Sequence, residues 1–287
     1  MRLSALVALV MVAFAANSIL NRMALAGDEA GPAAFAAIRL ASGAMALVVL
    51  ARLRGQPMSL LTPRRALTTA ALTLYVLGFS FAYVSLDAGI GALILFGGVQ
   101  VTMFAGALAM GDRPPWVRWL GMAIGLLGLA WLLAPGAGLN LPLAGTALMA
   151  AAAVGWGVYS LVGRGAVAPL GETAGSFLCA APLALLLWIG SGETQGVTAS
   201  GWALAITSGV VTSGMGYALW YAVLPKLDAS VAGLSQLTVP VIAVAAGVLL
   251  LGETLTLQAV LAGALVLGGV AFGIFAANGR SVRAGRR

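Results

Sequence analysis

Apolar residues dominate this sequence in runs long enough to cross a lipid bilayer, and short polar stretches separate the runs. A membrane-spanning helix needs about 20 mainly apolar residues. The pattern predicts ten such helices, at residues 3–24, 33–51, 66–85, 88–110, 116–133, 144–162, 173–190, 201–223, 229–251 and 257–277. The longest connection runs only from Arg52 to Arg65. We therefore expect an all-α membrane protein with ten transmembrane helices and no soluble domain.

Composition excludes a water-soluble protein and several kinds of catalytic site. Of the 287 residues, 61% are hydrophobic and 8% are charged, whereas about 25% are charged in an ordinary soluble domain. The chain has no His, and its single Cys is Cys179. These counts exclude a His or Cys metal cage, a Ser-His-Asp triad and a disulfide framework. No GxxxxGK[ST] motif is present to bind ATP. We therefore expect no metal and no cofactor.

Basic residues tell the two sides of the membrane apart, because Lys and Arg collect in short cytoplasmic loops. With ten crossings, 13 of the 15 basic residues fall on one side. They are Arg2, Arg52, Arg54, Arg64, Arg65, Arg113, Arg118, Arg164, Lys226, Arg280, Arg283, Arg286 and Arg287. This asymmetry places both termini in the cytoplasm. The net charge of +7 then reflects topology and contact with anionic lipids, not nucleic-acid binding.

The first predicted helix has an alternative interpretation as a cleaved signal peptide. Ala24-Leu25-Ala26 has the small-residue form of a cleavage site. However, Arg2 would be the only basic residue of its n-region. Cleavage would also leave nine helices and destroy the repeat described next.

The two halves of the chain resemble each other at an offset of 141 to 142 residues. Leu86-Asp87-Ala88 recurs as Leu227-Asp228-Ala229, Gly111-Asp112 as Gly252-Glu253, Gly128 as Gly269, and Phe14, Ser18 and Arg22 as Trp156, Ser160 and Arg164. We predict one unit at residues 1–135 and a second at 136–287. Each unit holds five helices, and five is odd, so the second copy must be inverted in the membrane. Inverted repeats around a central cavity are typical of secondary transporters.

The stretch from Leu227 to Gly269 carries the residues by which the sequence resembles a known family. They are the small residues after Asp228, then Pro240, Gly252-Glu253, Gln258 and Gly263. This pattern resembles the C-terminal half of EamA-type members of the drug/metabolite transporter superfamily, and Gly111-Asp112-Arg113 is a weaker copy in the first half. Within that superfamily the chain most resembles bacterial aromatic amino-acid exporters of the YddG type. The resemblance implies a bacterial inner-membrane protein in which helices 1 to 4 and 6 to 9 surround a cavity and helices 5 and 10 lie outside it.

Polar and aromatic residues recur at helical spacing in the middle of several predicted helices. An amide inside a membrane needs a hydrogen-bond partner or a wet cavity. The predicted substrate-binding residues are Phe14, Asn17, Ser18, Tyr75, Phe79, Phe96, Gln100, Trp156, Tyr159, Ser213, Tyr217 and Gln236. The alternative for each amide is an interhelical hydrogen bond that only holds the bundle together. For each aromatic residue the alternative is ordinary packing or an interfacial belt.

Charged residues limit the substrate. Arg39 is the only charge well inside a predicted helix, and three roles are open for it: it could snorkel to the headgroups, attract a substrate carboxylate, or pair with Asp28 or Glu29. All eight carboxylates lie at helix ends or in loops. Exporters of cationic drugs commonly use a buried acid that exchanges drug for proton, and none is available here. The cavity therefore suits neutral or zwitterionic solutes with apolar bulk.

Glycines and a proline within the predicted helices indicate where the protein could bend and where helices could pack closely. Gly97 and Gly98 loosen the fourth helix, and Pro240 removes a backbone hydrogen bond from the ninth. We expect hinges at these positions. Gly121/Gly125 and Gly269/Gly273 allow close helix packing, either within the chain or at a dimer seam. We expect a monomer or a weak homodimer, embedded in membrane lipids.

Together these features predict a secondary transporter that exports small neutral or zwitterionic solutes, most of all amino acids including aromatic ones, by alternating access without ATP. The first alternative is an exporter of other amphipathic metabolites or drugs. An intramembrane enzyme lacks its His, paired Asp or metal ligands, so we expect no enzymatic activity. A scaffold or sensor is disfavoured because the loops are short.

Overall fold

The computed structural model describes residues 3–111, 113–134, 141–163, 166–227 and 235–284. Several residues used above lie outside these ranges, among them Arg2, Asp112, Arg164, Asp228, Ala229, Arg286 and Arg287.

All regular secondary structure in the described ranges is helical. The α-helices are α1 (Leu3–Ala26), α2 (Pro32–Leu53), α3 (Pro63–Tyr83), α4 (Ala88–Ala109), α5 (Trp116–Leu133), α6 (Leu143–Gly163), α7 (Pro169–Gly190), α8 (Ala199–Thr207), α9 (Gly216–Val223), α10 (Thr238–Leu251) and α11 (Leu257–Ala284). A π-helical segment, Ser208–Met215, joins α8 to α9, and a short 3₁₀ turn, Leu224–Lys226, follows α9. The sequence-based expectation of an all-α protein is confirmed.

Eight helices in the described part of the chain are long and apolar enough to cross a membrane. They are α1 to α7 and residues Leu257–Phe275 of α11. The described part of the ninth predicted segment forms the shorter apolar helix α10, which has 14 residues. The eighth predicted segment is helical throughout, but its middle is wound as a π-helix.

Prolines and threonines set the starts of several helices. Pro32, Pro63 and Pro169 occupy first-turn positions, where a missing N–H costs nothing and the fixed φ suits the helix. The hydroxyls of Thr62 and Thr198 accept hydrogen bonds from the backbone N–H groups three residues later, which is the usual N-cap geometry. Pro169 explains why α7 begins four residues before the predicted start at 173.

Helices α2 and α7 pack along each other, and each receives a cap from the loop that follows the other. The Gln56 side-chain oxygen accepts hydrogen bonds at 3.1 Å from the backbone N–H groups of Leu170 and Gly171. At the opposite end, the Glu193 carboxylate accepts them from Ala33 at 2.8 Å and Ala34 at 3.1 Å. Unpaired N–H groups at both helix starts are thereby satisfied.

Helices α5 and α11 pack mainly against each other and meet the rest of the described bundle through α4. Their glycines face one another. A Cβ atom at Gly121 would lie 2.5 Å from the Gly269 carbonyl oxygen, and one at Gly269 would lie 2.6 Å from the Gly125 nitrogen. The two small-residue pairs therefore form a close contact within the chain.

Candidate functional site

A small cavity lies where α1, α3, α4, α6, the π-helical segment and α9 meet. Its lining residues are Phe14, Asn17, Ser18, Tyr75, Phe79, Leu95, Phe96, Trp156, Thr212 and Tyr217. None of these described lining residues is charged. The cavity volume is about 20 Å³, close to the space that one water molecule needs. The arrangement is therefore closed around the cavity.

Trp156 is the centre of the aromatic wall. Its ring centroid lies 4.9 Å from that of Tyr75, 5.0 Å from Tyr217, 5.7 Å from Tyr159 and 6.3 Å from Phe14. These distances are in the range of favourable ring contacts. Helices α1, α3, α6 and α9 thus present rings to one place, and a flat apolar ligand could stack there once the rings separate.

Asn17 supplies the amide at the cavity. Its side-chain oxygen accepts hydrogen bonds from the hydroxyls of Ser208, at 2.6 Å, and Thr212, at 3.0 Å. One turn further along α1, the Asn21 side chain donates to the Asn17 carbonyl and accepts from Ser80. Asn17 therefore both lines the cavity and joins α1 to the π-helical segment.

Arg39 is fully buried behind the rings, with 0% of its surface exposed. Its Nε donates to the Ser213 hydroxyl at 3.1 Å, and its Nη2 donates to the Tyr75 hydroxyl at 3.3 Å. The guanidinium carbon lies 5.4 Å from the Tyr75 ring centroid and 5.3 Å from that of Phe79. Of the three roles left open for Arg39, snorkelling is wrong, because the side chain points into the bundle, where two hydroxyls and two rings hold it.

The structure brings together most of the predicted substrate-binding residues. Phe14, Asn17, Ser18, Tyr75, Phe79, Phe96, Trp156 and Tyr217 line the cavity. Tyr159 and Ser213 are one contact further out, against Trp156 and Arg39. Gln100 and Gln236 are half-buried and are not among the lining residues.

Sequence reasoning missed Thr212, Leu95 and Ser208, which line the cavity or bond to Asn17. Of these, Ser208 and Thr212 are four residues apart and share one face of a helix, so the polar periodicity held the signal. Leu95 carries no signal that separates it from its apolar neighbours.

The predicted hinge residues lie at close contacts or helix starts. A Cβ atom at Gly98 would lie 2.7 Å from the Ala153 Cβ of α6, and one at Gly97 would lie 3.3 Å from Val266 of α11. Pro240 falls in the first turn of α10, just after the break at Leu237. The ninth helix is thus interrupted ahead of the proline, where Pro disfavours the preceding helical turn.

One end of the bundle is held by the Arg22 cluster, which consists of Arg22, Asp87 and Glu253. Arg22 lies 3.4 Å from the Asp87 carboxylate and 4.0 Å from that of Glu253, and donates to the carbonyls of Tyr83 and Val84. The Glu253 carboxylate also accepts from the first backbone N–H groups of α4. A depression of about 510 Å³ opens beside the cluster.

Glu253 has an unusual ionisation. Burial raises its pKa above that of an ordinary glutamate, and the nearby Asp87 carboxylate raises it as well. The backbone N–H groups of Ala88 and Gly89, and Arg22, act in the opposite direction. Desolvation is the larger effect, so the closed arrangement disfavours the ionised form of Glu253.

The opposite end is held by the Arg65 cluster, which consists of Arg65, Glu172 and Ser176. Arg65 is 2% exposed, pairs with the Glu172 carboxylate at 2.8 Å and donates to the Ser176 hydroxyl at 2.6 Å. It also donates to the Ser59 carbonyl at 2.8 Å. The cluster ties α3 to α7, at the end of α3 opposite to the one that the Arg22 cluster contacts.

The described residues contain no group of three His, Cys, Asp or Glu that could hold a metal ion. The chemistry of the cavity is thus that of rings, hydroxyls, one amide and one arginine behind them.

Comparison of the sequence with known proteins identifies its family. Residues 143–275 match the model of the EamA-like transporter family. Over 282 residues the chain is 44% identical to the uncharacterized protein PA1977 of Pseudomonas aeruginosa, covering 98% of this chain and 97% of that protein. The chain belongs to the EamA-like transporter family.

A crystal structure of another protein has the same fold as this EamA-like protein. The two superpose with a TM-score of 0.67 over 93% of this chain and 98% of the other, at 21% sequence identity. Identity this low carries the fold alone.

Membership in the EamA-like family places the chain in the drug/metabolite transporter superfamily, whose members are transporters rather than enzymes. With eight helices of membrane-spanning length in its described ranges, the EamA-like protein is a multi-pass membrane protein. The resemblance noted in the sequence is confirmed at the level of the superfamily.

Proposed function

We propose that this EamA-like protein is a secondary transporter of small neutral or zwitterionic solutes, with amino acids, including aromatic ones, as its main substrates. The observation that carries the proposal is the cavity itself, which combines rings from five helices, several hydroxyls and the Asn17 amide, with no acid among its described lining residues. An aromatic amino acid has a ring that can stack on Trp156 and a head group that hydroxyls and an amide can bind.

The proposed mechanism is alternating access without ATP. A cavity of about 20 Å³ is too small for an amino acid, so one end of the bundle has to open before a substrate enters. The Arg22 cluster and the Arg65 cluster close opposite ends, and breaking one while keeping the other would expose the cavity to one side at a time.

We propose further that the chain consists of two inverted five-helix units, residues 1–135 and 136–287. Matching contacts support this arrangement. Thr62 and Thr198 cap corresponding helices, and Gln56 and Glu193 cap α7 and α2 at opposite ends. Two halves related by inversion can exchange conformations, which is what alternating access requires.

The proposed orientation puts both termini in the cytoplasm of a bacterium, with the chain in the inner membrane. The Arg65 end then faces the cytoplasm and the Arg22 end faces outward, as the distribution of basic residues favours. Export is the proposed direction, from the resemblance to aromatic amino-acid exporters. We propose a monomer or a weak homodimer, and hinges at Gly97, Gly98 and Pro240.

Reconstituted liposomes test the proposal. Labelled tryptophan, phenylalanine and alanine are added to liposomes preloaded with unlabelled tryptophan, with and without a pH gradient, beside protein-free liposomes. We expect exchange of the aromatic amino acids and no accumulation driven by the pH gradient alone. Exchange of an amphipathic drug that no amino acid inhibits would favour the alternative, a metabolite or drug exporter. Strong accumulation driven only by the pH gradient would contradict uncoupled transport.

A further inference from the structure

Arg39 is an intramembrane cation with an incomplete set of partners. It lies seven residues inside α2, its exposed surface is 0%, and none of the ion pairs among the described residues includes it. Its Nη1 atom is buried without a hydrogen-bond partner. A charge held in hydrocarbon without an anion is costly, which makes such a residue a candidate for binding one.

The present partners of Arg39 are neutral. The Ser213 and Tyr75 hydroxyls accept from two of its nitrogens at 3.1 and 3.3 Å, both long for a charge-assisted bond. The Tyr75 and Phe79 rings add cation–π contacts, which stabilise a guanidinium less than a bidentate carboxylate does. An incoming carboxylate that displaced the Tyr75 hydroxyl would gain charge-assisted hydrogen bonds and occupy the free Nη1.

Arg39 is next to the cavity. Tyr75 and Phe79 contact its guanidinium and also line the cavity, so each of these two rings adjoins both the cation and the cavity. The cavity has to expand to admit a solute, and movement of the two rings would both enlarge it and uncover the cation. A ligand ring against Trp156 and a ligand carboxylate at Arg39 then fit one molecule.

We infer that the Arg39 guanidinium is the carboxylate-binding subsite of this transporter, so that its substrates are ring-bearing or apolar molecules with a free carboxylate. The inference rests on the proposed function and narrows it. It predicts that an amine without the carboxylate binds more weakly than the amino acid, and that this preference depends on Arg39.

Four ligands that share one ring test the inference. They are L-tryptophan, L-tryptophan amide, tryptamine and indole-3-propionate, and their binding to the purified protein in detergent is measured by calorimetry. The protein is compared with Arg39→Gln, Arg39→Lys and the control Arg118→Gln. The control makes the same chemical change at an exposed position on α5, away from the cavity.

We expect the unmodified protein to bind tryptophan at least about tenfold more tightly than tryptamine or the amide, the difference that charge-assisted hydrogen bonds give. Arg39→Gln should weaken tryptophan binding by roughly 10- to 100-fold and leave tryptamine binding unchanged or stronger. Arg39→Lys should fall between the two, because it keeps the charge but loses the planar fork. Arg118→Gln should match the unmodified protein.

The outcomes separate the inference from the proposed function. If Arg39→Gln weakens the binding of all four ligands by the same factor, Arg39 has only a structural role and the inference is overturned. The same follows if the unmodified protein prefers tryptamine, a measurement that needs no variant to fold. Binding of indole-3-propionate but not of the amino acid, lost in Arg39→Gln, would support the carboxylate subsite and contradict amino-acid transport. Binding of none of the four ligands would contradict both.

Discussion

At the residue scale, Trp156 contacts four other aromatic side chains, three of which line the cavity with it. We predict that Trp156→Ala weakens tryptophan binding by about tenfold or more, because a ring pair contributes about 0.5–1.5 kcal/mol beyond its buried area. The same change should lower the melting temperature of the protein in detergent, since removing a buried Trp side chain leaves a void. Calorimetric binding and a thermal melt measure the two effects.

The control for Trp156 is Trp202→Ala, which removes an identical side chain from an exposed position on α8, 44% accessible. We expect this variant to bind tryptophan as the unmodified protein does. Trp156→Phe should bind better than Trp156→Ala, because it keeps a ring. Equal tryptophan affinity in Trp156→Ala and the unmodified protein would place the substrate elsewhere.

Helical spacing alone was enough to predict much of the candidate site from the sequence. Aromatic and polar side chains in mid-helix, such as Tyr75 and Trp156, converge on one cavity because a helix puts such positions on one face. Arg39 could not be assigned from the sequence, because the rotation of α2 within the bundle decides whether its side chain meets lipid, a loop or Tyr75. Gln100 and Gln236 are half-buried but do not line the cavity, because polarity in mid-helix indicates partial burial and does not tell which neighbouring helix a side chain meets.

At the element scale, the π-helical segment Ser208–Met215 depends on one close approach to α2. A Cβ atom at Gly209 would lie 2.1 Å from the Ser42 hydroxyl and 2.3 Å from the Arg39 carbonyl oxygen. We predict that Gly209→Ala destabilises the protein by about 1–3 kcal/mol, the usual cost of overpacking, because backbone of α2 has to move. A lower melting temperature in detergent would show it.

Gly268→Ala is the matched control for Gly209→Ala. Its added methyl group would have no atom within 4 Å, and α11 continues through that position. We expect a melting temperature equal to or slightly above that of the unmodified protein, because Ala favours a helix more than Gly does. If Gly209→Ala melts no lower than Gly268→Ala, the close contact between α2 and the π-helical segment is not needed for stability.

The limits of sequence analysis are also visible in these elements. The apolar runs predicted α5 at 116–133, where the structure has it. The ends of that run are clear in the sequence, because a loop proline or the last of the apolar residues marks each of them. The π-helical segment, which packs against α2, was not predicted, because its wider winding leaves no mark in the apolar period. Likewise, Pro240 was expected to kink a continuous helix, whereas the described helix starts anew at Thr238.

At the scale of the whole molecule, the pKa of Glu253 couples the Arg22 end to pH. Its pKa is raised in the closed arrangement, chiefly by burial. A carboxyl whose pKa is higher when closed takes up a proton more readily there than when solvated, so a fall in pH through that range favours closure and a rise in pH favours opening. Asp87 and Arg22 are the charged groups facing it, and they oppose each other.

A cysteine reporter measures this pH dependence. Ser18→Cys places a thiol on the cavity wall, in a Cys179→Ser background, and a membrane-impermeant maleimide is applied from the Arg22 side of the membrane. We predict that acidification slows labelling relative to Glu253→Gln at the same pH, a ratio that cancels the titration of the thiol itself. A ratio that stays flat or rises as the pH falls would contradict the assignment.

The two charged clusters should control opposite faces of the transporter. Arg22→Gln removes the hydrogen bonds that tie α1 to the α3–α4 turn, and Arg65→Gln removes those that tie α3 to α7. With the same Ser18→Cys reporter, we predict that Arg22→Gln speeds labelling from the Arg22 side about fivefold or more, the shift that 1 kcal/mol gives. Arg65→Gln should slow it there and speed it from the other side.

This reciprocity follows because both open arrangements compete with one closed arrangement, so stabilising access on one side depletes access on the other. Arg118→Gln, on exposed surface of α5, should change neither rate. If both cluster variants speed labelling from both sides, the clusters merely hold the bundle together and the protein has become leaky. Opposite changes on the two sides are expected only if the central cavity opens to one face at a time.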